Sequence, residues 1–152
     1  MLSLKKTNKL QGFSIFEILI TLGIILMLSV LVFPFTIERL QETKLNTYAS
    51  QLSTDIYFQQ QESVYKNSLR GISFSSNGYT IYDGETLSTA TETSSQDFPS
   101  NVSITPVDFV NGNEFYFPEG EFKPSSSGYL ILSDGMNSVR VFINREGLIY
   151  YE

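Results

Sequence analysis

Few of the residue types in this chain can support catalysis or bind a metal. The 152 residues include no Cys and no His, which excludes disulfides, thiolate or imidazole metal ligands and histidine-activated nucleophiles. We find no nucleophile elbow and no phosphate-binding loop. The acid pairs Asp83 with Glu85 and Glu119 with Glu121 lack the ligand density of a calcium loop, so we interpret them as solvated turn charges. We therefore predict a protein that is not an enzyme and has no catalytic residue, metal or cofactor.

The charge of the chain is distributed unevenly. The formal net charge is −6, but the first twelve residues contain Lys5, Lys6 and Lys9 and no acid. The remaining residues therefore form an acidic body behind a small basic head. Because phosphate binding needs clustered Lys and Arg, such a body repels nucleic acid. We do not expect this chain to bind DNA directly.

Residues 13–35 form a long apolar segment with a single charge, Glu17. As a helix this segment extends roughly 35 Å, enough to cross a bilayer core of about 30 Å. The lysines before it and the acidic remainder after it place the head in the cytoplasm and the C-terminal domain outside. A cleaved secretory signal is an alternative, but such signals have a shorter apolar core that ends at a small-residue site. We predict a transmembrane helix.

Residues 36–66 are predicted to form an amphipathic helix that continues from the membrane segment. At 100° per residue its apolar side chains share one arc, while Gln51 and Gln59 lie largely off it. The arc consists of Ile37, Leu40, Leu45, Tyr48, Leu52 and Ile56. Pro34 interrupts the joint between the two helical halves, and a proline inside a helix kinks it.

Residues 67–152 are predicted to form an antiparallel β domain, because the hydrophobic period changes to two near Gly71. A three-stranded meander is expected at the end, over 128–133, 139–143 and 147–151. The Ser- and Thr-rich segment 84–101 is predicted to be a mobile loop. The arc of the preceding helix is the natural cover for the apolar face of the sheet. We therefore predict an α+β fold, a long N-terminal spine helix packed on a small antiparallel sheet.

The sequence GFSIFE, from Gly12 to Glu17, resembles the N-terminal motif of the type IV pilin-like proteins. In that family a short basic leader ends in Gly before an aromatic residue, and Glu is the fifth residue of the mature chain. Gly12, Phe13 and Glu17 match these positions, and the three lysines of residues 1–12 match the leader charge. The order of a helix followed by an antiparallel sheet is also similar.

The resemblance implies that a prepilin peptidase cleaves between Gly12 and Phe13 and that Phe13 is then N-methylated. It also implies that Glu17 and Pro34 act in subunit assembly, since many pilins carry a helix-kinking proline where Pro34 stands. The implied partners are other major and minor pilins, the peptidase and the membrane. The protein would be a single-pass cell-membrane protein before assembly and would lie at the cell surface or in a pilus afterwards.

Within the family the chain is most similar to minor pilins of the Gram-positive competence pilus, of the ComGD kind. It lacks the Cys pair of many Gram-negative pilins, and its terminal meander is similar to that of H-type minor pseudopilins. This implies a minor pilin that takes part in DNA uptake during transformation. Two alternatives stay open: a minor pseudopilin of a type II secretion system and a membrane-anchored surface binding domain.

Overall fold

The computed structural model describes residues 13–110 and 112–152, and within this range the side chains of residues 31–42 lie outside the description. The leader predicted over residues 1–12 also lies outside it. The chain divides into two compact units, a first that ends at Leu40 and a second, Gln41–Glu152.

One helix, eight strands and one short 3₁₀ turn make up the described residues. The helix, α1, has the bounds Ile15–Lys66, and the 3₁₀ turn is Leu87–Thr89. The strands are β1 Arg70–Ser75, β2 Gly78–Asp83, β3 Thr93–Asp97, β4 Ser103–Val107, β5 Glu114–Phe117, β6 Gly128–Ser133, β7 Ser138–Ile143 and β8 Ile149–Tyr151. The predicted α+β class is therefore confirmed.

Within Gln41–Glu152, α1 packs through the apolar arc that its sequence predicts. Leu45, Leu52 and Ile56 are fully buried, Tyr48 is half-buried, and Ala49 joins them in the core. The side chains of the first two members of the predicted arc lie outside the described residues. Because α1 falls in two separate units, the single continuous spine stays a prediction.

The strands form two sheets, not the one small sheet that the sequence predicts. One sheet has the order β3-β2-β1-β5 and the other β4-β6-β7-β8, and all pairs are antiparallel. The inner faces of both sheets and the apolar arc of α1 share a single core. The order of strands is set by long-range pairing, such as β5 beside β1, which no local pattern specifies.

The segment 84–101, predicted to be a loop, contains a strand that the sequence analysis missed. β3, Thr93–Asp97, pairs with β2 along its whole length, although all five of its side chains are exposed. Because none of its side chains is buried, β3 lacks the alternation of apolar and polar residues from which a strand is predicted. Its conformation is therefore decided by pairing with β2. Phe98 follows β3 directly and is buried against Tyr48 and Tyr79, with ring centroids 5.1 and 5.8 Å apart.

The predicted meander is confirmed as β6, β7 and β8. Its first turn is held by Asp134, whose carboxylate accepts hydrogen bonds from the backbone N–H groups of Met136 and Asn137, at 2.9 and 2.7 Å. These bonds lower the pKa of Asp134. The last strand begins at Ile149 and not at 147, because Asn144 closes the second turn by accepting hydrogen bonds as far as the N–H of Leu148.

Candidate functional site

The first turn of α1 contains the acidic residue that the sequence singled out. Ser14 caps the helix: its hydroxyl accepts a hydrogen bond from the N–H of Phe16 at 3.3 Å, and its carbonyl accepts from Glu17 and Ile18. Glu17 is therefore the third residue of the helix, where the positive end of the helix dipole favours a carboxylate. Ser14 and Glu17 have the spacing of a capping box, which is a local sequence signal for the start of a helix at this point.

From Ile18 to Val30 the side chains are mainly apolar, and they are exposed on every side of the helix. Phe13 is 80% exposed and Val30 is 75% exposed, and the large apolar side chains between them are also exposed. Thr21 and Ser29 bond their hydroxyls back to carbonyls of their own helix, at 2.8 to 3.0 Å. A helix that is apolar all round needs an apolar environment to cover it.

In the part of the chain that the structure describes, no helix combines the length and the apolar character needed to span a membrane. The predicted transmembrane segment reaches residue 35, and residues 31–35 are among those whose side chains lie outside the description. The membrane span stays a prediction.

The predicted site residues are only partly within the description. Phe13 and Glu17 lie about one helical turn apart at the start of α1. Gly12 and the leader lysines, Lys5, Lys6 and Lys9, lie outside the described residues. Pro34 falls within the bounds of α1, and its side chain is outside the description. The roles assigned to these positions stay predictions.

The last two turns of α1 hold two loops of the β domain through buried polar side chains. The amide Nε2 of Gln60 donates to the carbonyls of Phe122 and Gly147, both at 2.7 Å. The hydroxyl of Ser63 lies 3.0 Å from the carbonyl of Glu121 and donates to it. We call Gln60, Ser63 and these three carbonyls the polar lock. It fixes the end of α1 against residues that are far away in sequence.

The last three turns of α1 invert the usual distribution of side chains, since polar groups are buried there and aromatic groups are exposed. Gln59, expected to lie off the buried arc, is buried, and its Oε1 has no hydrogen-bond partner within the described residues. Tyr57, Phe58 and Tyr65 are exposed on the helix. The prediction that Gln59 lies off the arc is wrong, because Gln59 follows Ile56 by three residues and Leu52 by seven, a spacing that places it on the same buried face of the helix.

A cluster of charges ties the end of α1 to β1 and β2. Arg70 pairs with Glu62, with N and O 3.3 Å apart, and makes a close ion pair with Asp83. Lys66 also pairs with Glu62, at 2.6 Å. Asp83 is thus an ion-pair partner and not a free turn charge. Within the described residues no group of His, Cys, Asp and Glu is arranged to hold a metal ion.

Tyr79 joins the first sheet to α1 inside the core. Its hydroxyl donates a hydrogen bond to the carboxylate of Asp55. Burial, and then this hydrogen bond, raise the pKa of Tyr79. The phenol stays protonated and acts as a donor, so the contact stabilises packing and gives no nucleophile.

Neither the family models nor the curated proteins contain a match to this chain. Solved structures that are similar to this chain include two crystal forms of the type IV minor pilin FimU from Pseudomonas aeruginosa strain PAO1. With one form the TM-score is 0.61 at 11% sequence identity, and the match covers 74% of this chain and 90% of the FimU chain. With the other form the TM-score is 0.59 at 12% identity, and the match covers 71% of this chain and 92% of the FimU chain. The chain has the fold of a type IV minor pilin.

Proposed function

We propose that the chain is a minor pilin, a structural subunit that assembles with other major and minor pilins in a type IV-like pilus. The observation that carries the proposal is the joint occurrence of two features. The unit Gln41–Glu152 is part of a fold similar to a minor pilin, and the same chain has an apolar, exposed helical segment with an acid in its first turn. A subunit that packs its helix against those of neighbours needs both.

The proposed pilus is the competence pilus, in which this subunit takes part in DNA uptake during transformation. The support is the resemblance of the cysteine-free chain to Gram-positive minor pilins. In that function the acidic body does not bind DNA, and other components of the uptake machinery do so. The subunit contributes to the filament and not to chemistry, so we propose no enzymatic activity.

Processing at Gly12 and Phe13 would release the subunit from its leader. Before cleavage the lysines of residues 1–12 hold the head in the cytoplasm while the apolar helix lies in the membrane. A prepilin peptidase removes the head, and the new α-amine on Phe13 is methylated. Gly12→Val should block this step, because a branched side chain obstructs a tight site. The blocked variant keeps the mass of the leader, and normal maturation of Gly12→Val would contradict the proposal.

Glu17 selects the register of the subunit in the filament. An acid in a membrane segment is costly, by about 2.5–3.5 kcal/mol for Asp at the helix centre and less near its end. In an assembling filament Glu17 of the incoming subunit pairs with the terminal amine of a neighbour. A register that leaves the carboxylate alone is penalised, so one axial step is selected. Pro34 then adapts the helix to the filament by a kink.

Two other functions remain as alternatives. A minor pseudopilin of a type II secretion system has the same leader and helix, and genes for sibling pilins beside a DNA receptor would favour competence. A membrane-anchored surface binding domain would never be cleaved. An intact Met1 on the mature membrane protein, measured by mass spectrometry, would refute the minor pilin in favour of this anchored domain.

Glu17→Gln tests the pairing directly. The amide keeps the size and hydrogen bonding of the side chain but removes its charge, so the variant should be inserted and cleaved yet enter the pilus poorly. Thr21→Val is the matched control one turn later, because the Thr21 hydroxyl is already bonded to its own helix. Pilus fractions that contain Glu17→Gln at the wild-type level would show that the acid merely caps the helix. Pull-downs with sibling pilins check that the variant is not carried in by its partners.

A further inference from the structure

Of the four sheet edges in the described part of the chain, two are closed by other segments of the protein. At the edge strand β5 the carbonyl and the N–H of Tyr116 bond to Ser125, at 2.7 and 3.0 Å. At the edge strand β4 the N–H of Ile104 donates to Ser76 at 2.9 Å, and Pro106 lacks a donor. Proline and covering segments are common ways to prevent an edge from pairing with another chain.

The two remaining edges, β3 and β8, differ in character. β3 is polar along its whole length, and every side chain on it is exposed. β8 contains an isoleucine and two tyrosines and has neither a proline nor a lysine. Ile149 packs against the core, while Tyr150 and Tyr151 are exposed. Among the sheet edges that the structure describes, β3 and β8 both remain open, and β8 is the one with large apolar and aromatic side chains.

The backbone of β8 presents hydrogen-bonding groups to the open side. Arg140 and Glu152 exchange both backbone hydrogen bonds, at 2.8 and 3.0 Å. Bonded and non-bonded pairs alternate along an antiparallel ladder, so Tyr150 bonds to β7. Ile149 and Tyr151 therefore direct their N–H and C=O groups away from β7, toward the edge. Another strand placed there would find two donors and two acceptors in register.

A groove of about 520 Å³ lies between the open edge of β8 and α1. Tyr151 forms one side, and α1 forms the other with hydroxyl and amide side chains and one acid. The α1 residues are Thr43, Asn46, Thr47, Ser50, Gln51, Thr54 and the acid Asp55. A three-residue strand extends about 10 Å, so the groove has room for the inward side chains of one added strand. Such a lining favours small polar side chains, because they can hydrogen-bond to it.

The opposite face of the same edge is aromatic. The rings of Tyr129, Phe142 and Tyr150 form a ladder across β6, β7 and β8, with centroids 5.5 and 5.0 Å apart. Phe142 and Tyr150 are stacked with an interplanar angle of 12°. Because β8 is the edge strand, Tyr150 is the last ring of the ladder. An aromatic side chain on an added strand would continue the stack, which contributes about 0.5–1.5 kcal/mol per pair.

We infer that β8 is a docking edge for one extended segment of a partner protein, which adds a fifth strand to the second sheet. The partner segment alternates small hydroxyl or amide side chains, which enter the groove beside α1, with aromatic side chains, which continue the ladder. It carries no acid, because Asp55 in the groove and Glu152 after β8 would repel one. Main-chain bonds give affinity and the alternate side chains give specificity. The inference does not depend on the pilus in which the subunit acts.

The test uses the isotope-labelled full chain in detergent micelles and a short, end-blocked peptide that alternates threonine with tyrosine. The readout is the hydrogen exchange of individual backbone amides by NMR. We expect the peptide to slow exchange at Ile149 and Tyr151 about tenfold and to leave Tyr150, already bonded to β7, unchanged. The same peptide with methylated backbone nitrogens keeps its side chains but loses its donors, and it should give no protection.

Tyr151→Lys places a charge on the open edge and should weaken peptide binding roughly tenfold, since edge lysines oppose strand pairing. Gln96→Lys makes the same change on β3 and should bind the peptide as the wild type does. Three results would overturn the inference: no change at Ile149 and Tyr151 up to the solubility limit of the peptide, equal protection by the methylated copy, or equal binding by Tyr151→Lys. Protection that grows with protein concentration without peptide would assign the edge to a second copy and also overturn it.

Discussion

Replacing Gln60 with leucine tests whether the polar lock stabilises the domain. The substitution keeps the approximate size of the side chain but removes the amide that bonds to Phe122 and Gly147. The carbonyl of Gly147 accepts inside the core and cannot be rehydrated there, whereas the bond to Phe122 is only partly buried. A buried polar group without a partner costs about 1–3 kcal/mol. Two carbonyls, one of them partly rehydrated, give an expected loss of about 2–4 kcal/mol.

The free energy of unfolding of Gln41–Glu152 should be measured by urea denaturation, with the near-ultraviolet signal of the tyrosines as the probe. A loss of about 2–4 kcal/mol is a large share of the 5–15 kcal/mol that stabilises a typical domain. The urea concentration at the midpoint of unfolding should therefore be clearly lower than in the wild type. Gln61→Leu is the matched control, since it makes the same change at the next, half-buried position. We expect the control to change stability by no more than about 0.5 kcal/mol.

A Gln60→Leu domain within about 0.5 kcal/mol of the Gln61→Leu control would refute the reasoning, because the bonds to the two loops would then contribute nothing net. A second measurement separates local from global effects. If the lock holds the loops, limited proteolysis should cut near Phe122 faster in Gln60→Leu than in the control, at urea concentrations where both remain folded.

Three further predictions concern the core and the first turn of the meander. Leu52→Asp should unfold the domain, because an unpaired buried charge costs several kcal/mol. Thr54→Asp, on the exposed side of α1, should melt nearly as the wild type does. Equal melting of both variants, measured by circular dichroism, would show that α1 does not pack as described. Because the pKa of Tyr79 is raised in the folded state, its contribution to stability is complete below about pH 10 and is lost as the pH rises further. Tyr79→Phe should therefore flatten the alkaline fall in the free energy of unfolding. An unchanged slope of that free energy against pH would contradict this. Asp134 has the opposite pH dependence, because its pKa is lowered. The ionised carboxylate stabilises the turn at pH values above the ordinary pKa of an aspartate, and this stabilisation is lost as the pH falls through the lowered pKa. Asp134→Asn should therefore remove the acid dependence of the NMR shifts of the turn.

Sequence alone was sufficient where structure depends on neighbours along the chain. The burial of Leu45, Leu52 and Ile56 follows from helical spacing, because side chains three and four residues apart share a face. The meander follows from alternation and turn residues such as Asp134, which act over a few residues. The end of α1 at Lys66 was also predicted, and Asn67 explains it: with φ of 50° it adopts the left-handed conformation that stops a helix.

Tertiary contacts decided the features that have no local signal. β3 has five exposed polar residues, and it is a strand because β2 offers bonds to its backbone. The amide of Gln60 is buried with partners because loops distant in sequence bring it the carbonyls of Phe122 and Gly147. The open edge of β8 exists because the order of strands places no other described strand beyond it. The motif around Glu17 is local and could be read from sequence, whereas pairing partners, sheet edges and buried polar contacts depend on which distant segments meet when the chain folds.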